Sequence, residues 1–172
     1  MLADFVRFMN GLPSLPVFFV IVVFVEPLLV LAHELGHAVA VVSRLPGRVT
    51  VRVGGESPLL TFNAGRVHLR LHPLVLPWRF DGQCAYDAGS QSRADAVVIA
   101  LAGPAASFGC GLVAWLAAGA VGAASPLHSV LQVATFLAVG TGVLCLVPLT
   151  LRDSAGRYMR TDGAQVAAAL RS

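Results

Sequence analysis

The stretch LPSLPVFFVIVVFVEPLLVLAHELGHAVAVV, residues 12–42, decides the fold of this chain. It is almost wholly apolar, and its ionisable side chains are Glu26, His33, Glu34 and His37. As a helix, 31 residues would extend about 46 Å, which is enough to cross a hydrocarbon core of about 30 Å with some tilt. The stretch therefore predicts a membrane span over about residues 13–42.

A cleaved signal peptide is the rival interpretation of this stretch, because the Ala-Val-Ala sequence at 38–40 resembles a cleavage site. The apolar run is, however, more than twice as long as the usual apolar region of a signal peptide, and the basic residue before it is Arg7 alone. We therefore favour the membrane span.

The composition agrees with membrane residence. Of the 172 residues, 56% are apolar and 12% are charged, and the mean hydropathy is +0.77. A soluble domain carries about 25% charged residues, so a water-soluble globular fold is largely excluded. The net charge of +3 comes from scattered arginines, which does not favour nucleic-acid binding. Cys84, Cys110 and Cys145 form no CxxC pair, and we expect them to be free thiols.

A second apolar block covers residues 96–151, where His128 is the single basic or acidic residue. The block is too long for one span, and the sequence GAASP at 122–126 is typical of a turn. We therefore predict two further helices, over about 96–121 and 128–151. The predicted fold is an α-helical integral membrane protein of one domain, residues 1–172, with three transmembrane helices.

The arginines indicate the orientation. They concentrate in the loop 43–93 and in the tail 152–172, which lie on the same side of the membrane if there are three spans. Basic residues favour the cytoplasmic side. We therefore expect a multi-pass protein of the cell membrane with its N-terminus outside and with this loop and the C-terminus in the cytoplasm.

The cytoplasmic loop contains strand patterns. RVTVRV at 48–53 and RVHLRLH at 66–72 alternate apolar and polar residues, and LLTF at 59–62 lies between them. Gly54-Gly55 and Asn63-Ala-Gly65 have the composition of turns. We predict a small β-meander at the membrane surface, which makes this loop β-rich.

HELGH at 33–37 matches the HExxH pattern of zinc sites. Residues four apart on a helix lie on one face, so the imidazoles of His33 and His37 can reach one Zn²⁺ while Glu34 can contact the zinc-bound water. Charged groups inside a span are costly, and a divalent cation would compensate for three clustered ones. Two alternatives remain open: a hydrogen-bonded polar patch or water-filled cavity without metal, and a proton relay of a transporter.

A catalytic zinc site has three protein ligands, so a third ligand is needed. His68 and His72 are four apart on a predicted strand, hence about 13 Å apart, and suit a solvated strand face better than a shared metal. Asp162 precedes a helix-prone run, so it is either a ligand or the N-cap of a short helix. The remaining candidates are Glu26, Asp81, Asp87, Asp95 and Asp153.

Glu26 and Asp153 are the less favourable of these candidates. Glu26 lies about 10 Å deeper than His33 on the same helical face and would need a break in the helix, which Pro27 permits. It is otherwise a pocket residue or a protonated packing residue. Asp153 follows Arg152, with which a simple ion pair suffices.

Taken together, these motifs resemble the site-2 protease family of intramembrane zinc metalloproteases. The resemblance rests on HELGH at 33–37 in the first span, Ala-Gly-Pro at 102–104 in the second, and Val-Pro at 147–148 followed by Asp-Gly at 162–163. It covers nearly the whole chain and implies that His33, His37 and Asp162 bind Zn²⁺ and that Glu34 is the general base.

Three features depart from the family pattern. Ser107 and Cys145 stand where the family usually has asparagines, and the segment 149–161 is longer than the usual link between proline and aspartate. We identify no PDZ-like module, and the tail after Asp162 is too short for another span, so the chain resembles a minimal three-helix core.

The resemblance implies an intramembrane zinc metalloprotease that cleaves transmembrane protein substrates within the lipid bilayer. Membrane-bound anti-sigma factors and remnant signal peptides are the substrates it suggests. Because of Ser107 and Cys145, a non-proteolytic zinc-bound adaptor or pseudoprotease is the alternative. Small residues of the second span allow either close helix packing or substrate entry, and we favour close packing. These small residues are Gly103, Ala105, Ala106, Gly109 and Gly111. We expect an edge strand of the loop to bind an extended substrate.

Overall fold

The structure is a computed structural model that describes residues 19–54, 58–72, 82–89, 91–152 and 158–171. Within these ranges the chain is mostly helical, and three helices are long and apolar enough to cross a membrane, in agreement with the predicted spans. A small sheet lies between the first and second of them. The predicted residues 13–18 of the first span lie outside the described ranges.

The first membrane helix contains a change of helical register. A π-helical turn, Ile21–Val25, precedes helix α1, Glu26–Arg44. Pro27 lies in the first turn of α1, where its missing N–H is tolerated. The backbone N–H of Glu26 bonds the carbonyl of Ile21, five residues back, so the irregularity permitted by Pro27 takes the form of a π turn.

Helix α2, Arg93–Ala120, and helix α3, Pro126–Leu146, form the other two candidate spans. Ser92 and Asp95 form a reciprocal capping box at the start of α2, and Ser125 caps α3. The turn predicted at 122–126 is confirmed, since α2 ends at Ala120 and α3 begins at Pro126.

The predicted end of the third span at Leu151 is wrong. Helix α3 ends at Leu146, and Val147 is extended with φ −67° and ψ 125°. The residue before a proline disfavours helical geometry, and Val147 precedes Pro148. Apolar composition continues past this point, but the chain enters strand β5, Thr150–Arg152.

The three helices pack closely where glycine faces a neighbour. A Cβ at Gly36 of α1 would lie 2.5 Å from the carbonyl oxygen of Ala102 and 2.7 Å from the Cβ of Ala106. A Cβ at Gly111 would lie 2.9 Å from Val139 of α3. The close packing predicted for the small residues of α2 is confirmed at these contacts, whereas Gly109 faces open space.

Four strands form the sheet between α1 and α2. They are β1, Val49–Val53; β2, Leu60–Ala64; β3, Val67–Leu71; and β4, Gly82–Tyr86. The first three correspond to the predicted strand patterns, and the glycines of the predicted turns, Gly54 and Gly65, have φ of +90° and +59°. Strand β4 was not predicted from the sequence.

The prediction of a meander is wrong. The strand order is β2-β3-β1-β4, and β1 pairs with β3 in parallel and with β4 in antiparallel orientation. Only β2 and β3 form the expected hairpin. Alternation predicts which face of a strand is buried but not its neighbours. Val49, Val51 and Val53 of β1 are buried, and this strand lies between β3 and β4.

The sheet packs against the side of α1, and its contacts are not limited to the C-terminal end of this helix. The valines of β1 form one buried core with Ala38, Val41 and Leu45, against which Val30 and Leu31 also pack. A Cβ at Gly82 of β4 would lie 2.7 Å from Val30, fourteen residues before the end of α1. The guanidinium of Arg66 donates hydrogen bonds to the carbonyls of Val42 and Leu45, which caps the C-terminus of this helix.

The tail folds into a hairpin and a helix. Strand β5 pairs antiparallel with β6, Tyr158–Arg160, and helix α4, Asp162–Arg171, follows directly. The longer segment 149–161 noted in the sequence therefore contains a β-hairpin, and the helix-prone run after Asp162 is helical. Residues 153–157 lie outside the described ranges.

Candidate metal centre

His33 and His37 project from one face of α1 into the interior between the helices. Their rings are nearly perpendicular, with centroids 4.9 Å apart, and the two Nε2 atoms are 3.2 Å apart. Both residues are buried, with 6% and 7% of their surface exposed. The four-residue spacing therefore brings both Nε2 atoms to one point, as the HExxH pattern predicts.

Asp162 supplies an oxygen at the same point. Its Oδ2 lies 3.2 Å from Nε2 of His33, and its Oδ1 lies 3.4 Å from Nε2 of His37. Among the residues that the structure describes, these three form the group of histidine, cysteine and acidic side chains whose ligand atoms all lie within 4.8 Å of one another. Burial by itself would raise the pKa of Asp162, but the adjacent imidazoles of His33 and His37 lower this pKa below the ordinary value.

Asp162 is placed by its neighbours in the chain. The hydroxyl of Thr161 accepts a hydrogen bond from the backbone N–H of Ala164, so Thr161, not Asp162, caps helix α4. The same hydroxyl donates to the carbonyl of Val147 at 2.6 Å and accepts from the N–H of Leu149 at 3.0 Å. The N-cap alternative for Asp162 is thus filled by another residue, and its carboxylate is free to face the histidines.

Gly163 lets α4 approach the end of α3. A Cβ on Gly163 would overlap the backbone carbonyl of Leu146. The Asp-Gly pair noted in the sequence therefore has a physical basis here: the aspartate faces the histidines, and the glycine allows the backbone contact that brings it there.

Helix α2 forms the opposite wall of the centre. A Cβ on Gly103 would overlap the ring of His37 and lie 2.7 Å from Nε2 of His33. On either side of this glycine, the carbonyl of Ile99 accepts from Nδ1 of His37 at 2.7 Å, and Oγ of Ser107 lies 2.9 Å from Nδ1 of His33. The absence of a side chain at position 103 thus makes room for the two rings, and α2 engages their outer nitrogens.

Glu34 is buried beside the three convergent residues but is not one of them. It lines the same pocket, and a Cβ at Gly82 would lie 2.5 Å from its Oε1. Gly82 of the edge strand β4 therefore lies close to the Glu34 side chain. Burial and the neighbouring Glu34 carboxylate raise the pKa of Cys84 on this strand to about 12, so Cys84 stays a thiol at neutral pH.

The pocket over the centre has a volume of about 590 Å³. Strand β4 lines one side with Gln83, Cys84 and Tyr86, and the tail contributes Met159 and Arg160 of β6. Helix α3 contributes Thr141 and Cys145. The pocket therefore combines polar and apolar walls.

The other acidic candidates that are described have different roles. Asp95 belongs to the capping box of α2 and lies 3.7 Å from Arg44, and Asp87 accepts a hydrogen bond from the N–H of Gly89. Glu26 lies at the start of α1 and does not line the pocket. Asp81 and Asp153 lie outside the described residues.

The loop histidines do not join the centre. His68 on β3 is paired with Asn63 on the neighbouring strand, and His72 follows the end of β3. The three cysteines are free thiols, as predicted.

Sequence reasoning missed three contributors to the centre: the Thr161 cap, the Ile99 carbonyl and strand β4. A backbone carbonyl carries no sequence signal. Strand β4, GQCAY, contains residues of low β-propensity, so its pattern is weak. Thr161 was detectable in principle, since threonine before a helix-prone run is a common cap.

No protein-family model matches the chain, and none of the curated proteins matches it. A function must therefore be inferred from the geometry of this centre.

Proposed function

We propose that this chain is an intramembrane zinc metalloendopeptidase that hydrolyses peptide bonds within or near transmembrane segments of other proteins. The observation that carries the proposal is the convergence of two imidazole nitrogens and a carboxylate on one buried point, with a second carboxylate, Glu34, beside it. These groups belong to helices that are apolar enough to span a membrane and to a helix packed against them.

The donor set suits zinc. Two histidine nitrogens and one carboxylate are a frequent ligand set of catalytic zinc, which keeps a fourth position open for water or substrate. Both histidines already use Nδ1 in bonds to the protein, which leaves Nε2 for a metal. The missing side chain of Gly103 leaves space beside these nitrogens.

A bound zinc ion would supply Lewis acidity, which lowers the pKa of water toward about 7 and polarises a carbonyl group. Glu34 is the general base in this mechanism: its carboxylate takes a proton from the attacking water and delivers it to the leaving amine. Glu34 is buried beside the proposed ligands and lines the same pocket without belonging to the convergent group, which supports its assignment as the base.

The substrate must be extended before hydrolysis, because a helix shields its peptide bonds. Strand β4 is the terminal strand of the sheet and lines the pocket through Gln83 and Cys84. An extended substrate segment pairs with this edge by β-augmentation, which aligns its backbone past Glu34. The 590 Å³ pocket is large enough for a short peptide segment.

The arginine distribution supports an orientation with the loop 43–93 and the C-terminus in the cytoplasm and the N-terminus outside the cell membrane. The active site then faces the cytoplasmic half of the bilayer. Substrates of this class are single-pass proteins such as membrane-bound anti-sigma factors or remnant signal peptides.

Two substitutions test the proposal. We expect Glu34→Gln to retain one zinc per chain and to lose cleavage of a single-pass model substrate, since the amide cannot accept the proton. We expect His33→Ala to lose the metal as well. The measurements are zinc content of the purified protein and cleavage in co-expressing cells, with Asp87→Asn as a matched carboxylate control outside the centre.

Full cleavage by Glu34→Gln would refute the assigned base. One zinc per chain without cleavage of any co-expressed substrate would favour a zinc-bound adaptor or pseudoprotease. A wild-type protein that binds no stoichiometric zinc would contradict both, and would favour a proton-transfer role for these residues.

A further inference from the structure

The two histidines of the centre are held by different kinds of partner. Nδ1 of His37 lies 2.7 Å from the carbonyl oxygen of Ile99. A carbonyl can only accept, so Nδ1 of His37 carries the hydrogen, and in the neutral ring Nε2 presents its lone pair. Because this partner is a backbone atom of α2, no side-chain substitution removes it.

His33 depends on a side chain instead. Its Nδ1 lies 2.9 Å from the hydroxyl oxygen of Ser107, a residue with only 3% of its surface exposed. A serine hydroxyl can accept the Nδ1–H bond, and this leaves the lone pair of Nε2 directed to the point that Asp162 and His37 also face. No other partner of this Nδ1 is found among the described residues.

Both partners belong to one stripe of α2. Ile99, Gly103 and Ser107 are spaced by four residues and therefore lie on the same helical face. Gly103 makes room for the rings, while the positions one turn before and one turn after it engage Nδ1 of His37 and of His33. These three residues of α2 therefore lie side by side along the histidine pair.

We infer that Ser107 is a positioning residue of the metal centre, whose hydroxyl holds the His33 ring in the orientation that metal binding through Nε2 requires. The inference rests on the proposed zinc site. Second partners of this kind orient metal-binding histidines, and an unpaired ring nitrogen in a buried site is costly.

Zinc affinity tests this role without using activity. Purified full-length protein is titrated with zinc against a competing chelator for the wild type, Ser107→Ala and Ser107→Thr. We expect Ser107→Ala to bind zinc about 10- to 100-fold more weakly, and Ser107→Thr to recover most of the loss because it keeps a hydroxyl. Ser43→Ala is the matched control, since the Ser43 hydroxyl bonds the Ala40 carbonyl of its own helix.

A spectroscopic readout separates positioning from general destabilisation. In cobalt-substituted protein at saturating metal, the visible absorption bands report ligand geometry, and we expect Ser107→Ala to shift them while Ser43→Ala leaves them unchanged. Ser107→Cys, which is close in size but a weak acceptor, should behave like Ser107→Ala and provides a second variant if the alanine protein does not fold.

The outcomes distinguish this inference from the proposed function. Wild-type zinc affinity and an unshifted cobalt spectrum in Ser107→Ala or Ser107→Cys would overturn the role of Ser107 and leave the zinc site standing. Failure of the wild type to bind zinc or cobalt would overturn the proposed metal centre and this inference together.

Discussion

His33 and His37 lie on a long helix that packs against a second long helix, whereas Asp162 begins a helix of ten residues. The histidines depend on a glycine and two polar partners of α2. The aspartate depends on Thr161 and Gly163, its neighbours in the chain. Packing between distant parts of the chain thus positions the two histidines. Contacts at the junction between the end of α3 and the start of α4 position the aspartate.

This difference predicts which side of the centre is more sensitive to substitution, as measured by metal affinity. A change at the wall of α2 would displace two of the proposed ligands at once, whereas a change around Asp162 would displace one. We therefore expect metal affinity to fall most for the histidine wall, less for the glycine beside Asp162 and least for its cap.

The largest effect is expected for Gly103→Ala. Its Cβ would overlap the His37 ring and crowd Nε2 of His33, so both histidines must leave their hydrogen-bonded positions. We expect zinc affinity to fall by more than about 100-fold, beyond the usual loss from a supporting residue. Isothermal titration with zinc in detergent measures it.

Gly109→Ala is the control for this prediction, because a Cβ at Gly109 of the same helix meets nothing within 4 Å. It should bind zinc as the wild type does. Equal affinities in the two variants would show that α2 does not form a wall of the centre.

An intermediate effect is expected for Gly163→Ala. The new Cβ would overlap the Leu146 carbonyl, so the start of α4 must move and take Asp162 with it. We expect zinc affinity to fall about 10- to 100-fold, with the histidine pair intact. Chelator competition measures the loss, and Gly140→Ala on α3, where a Cβ meets nothing within 4 Å, is the control.

The smallest effect is expected for Thr161→Val. It removes the hydroxyl that caps α4 and bonds Val147 but keeps the shape of the side chain. Loss of such a cap costs about 1 kcal/mol, so we expect a fall in zinc affinity of roughly 5-fold.

Thr135→Val provides the comparison, because the Thr135 hydroxyl bonds only the Leu131 carbonyl of its own helix among the described partners. A loss in Thr161→Val as large as that in Gly103→Ala would reverse the proposed order and make the junction the more sensitive side.

Much of the fold could be predicted because the signals are local. Three membrane helices were predicted from apolar runs that are long enough to cross a bilayer. The HELGH motif placed His33 and His37 on one helical face. Alternation predicted strands β1 and β3, and β2 was predicted from its position between two turns. The end of α3 was missed because apolar composition continues past Pro148, and β4 was missed because Gly82 and Ala85 have low β-propensity.

By itself, the sequence determined the apolar helices, the histidine pair and the glutamate beside it, because each depends on residues within a few turns of one another. Only the tertiary structure decided that Asp162 joins the histidines, that β1 pairs with β3 in parallel, and that Ser107 supports His33. These contacts join residues far apart in the chain, and their geometry follows from packing at Gly36, Gly103 and Gly163. Sequence spacing predicts contacts within one helix, whereas contacts between helices depend on how closely their backbones approach.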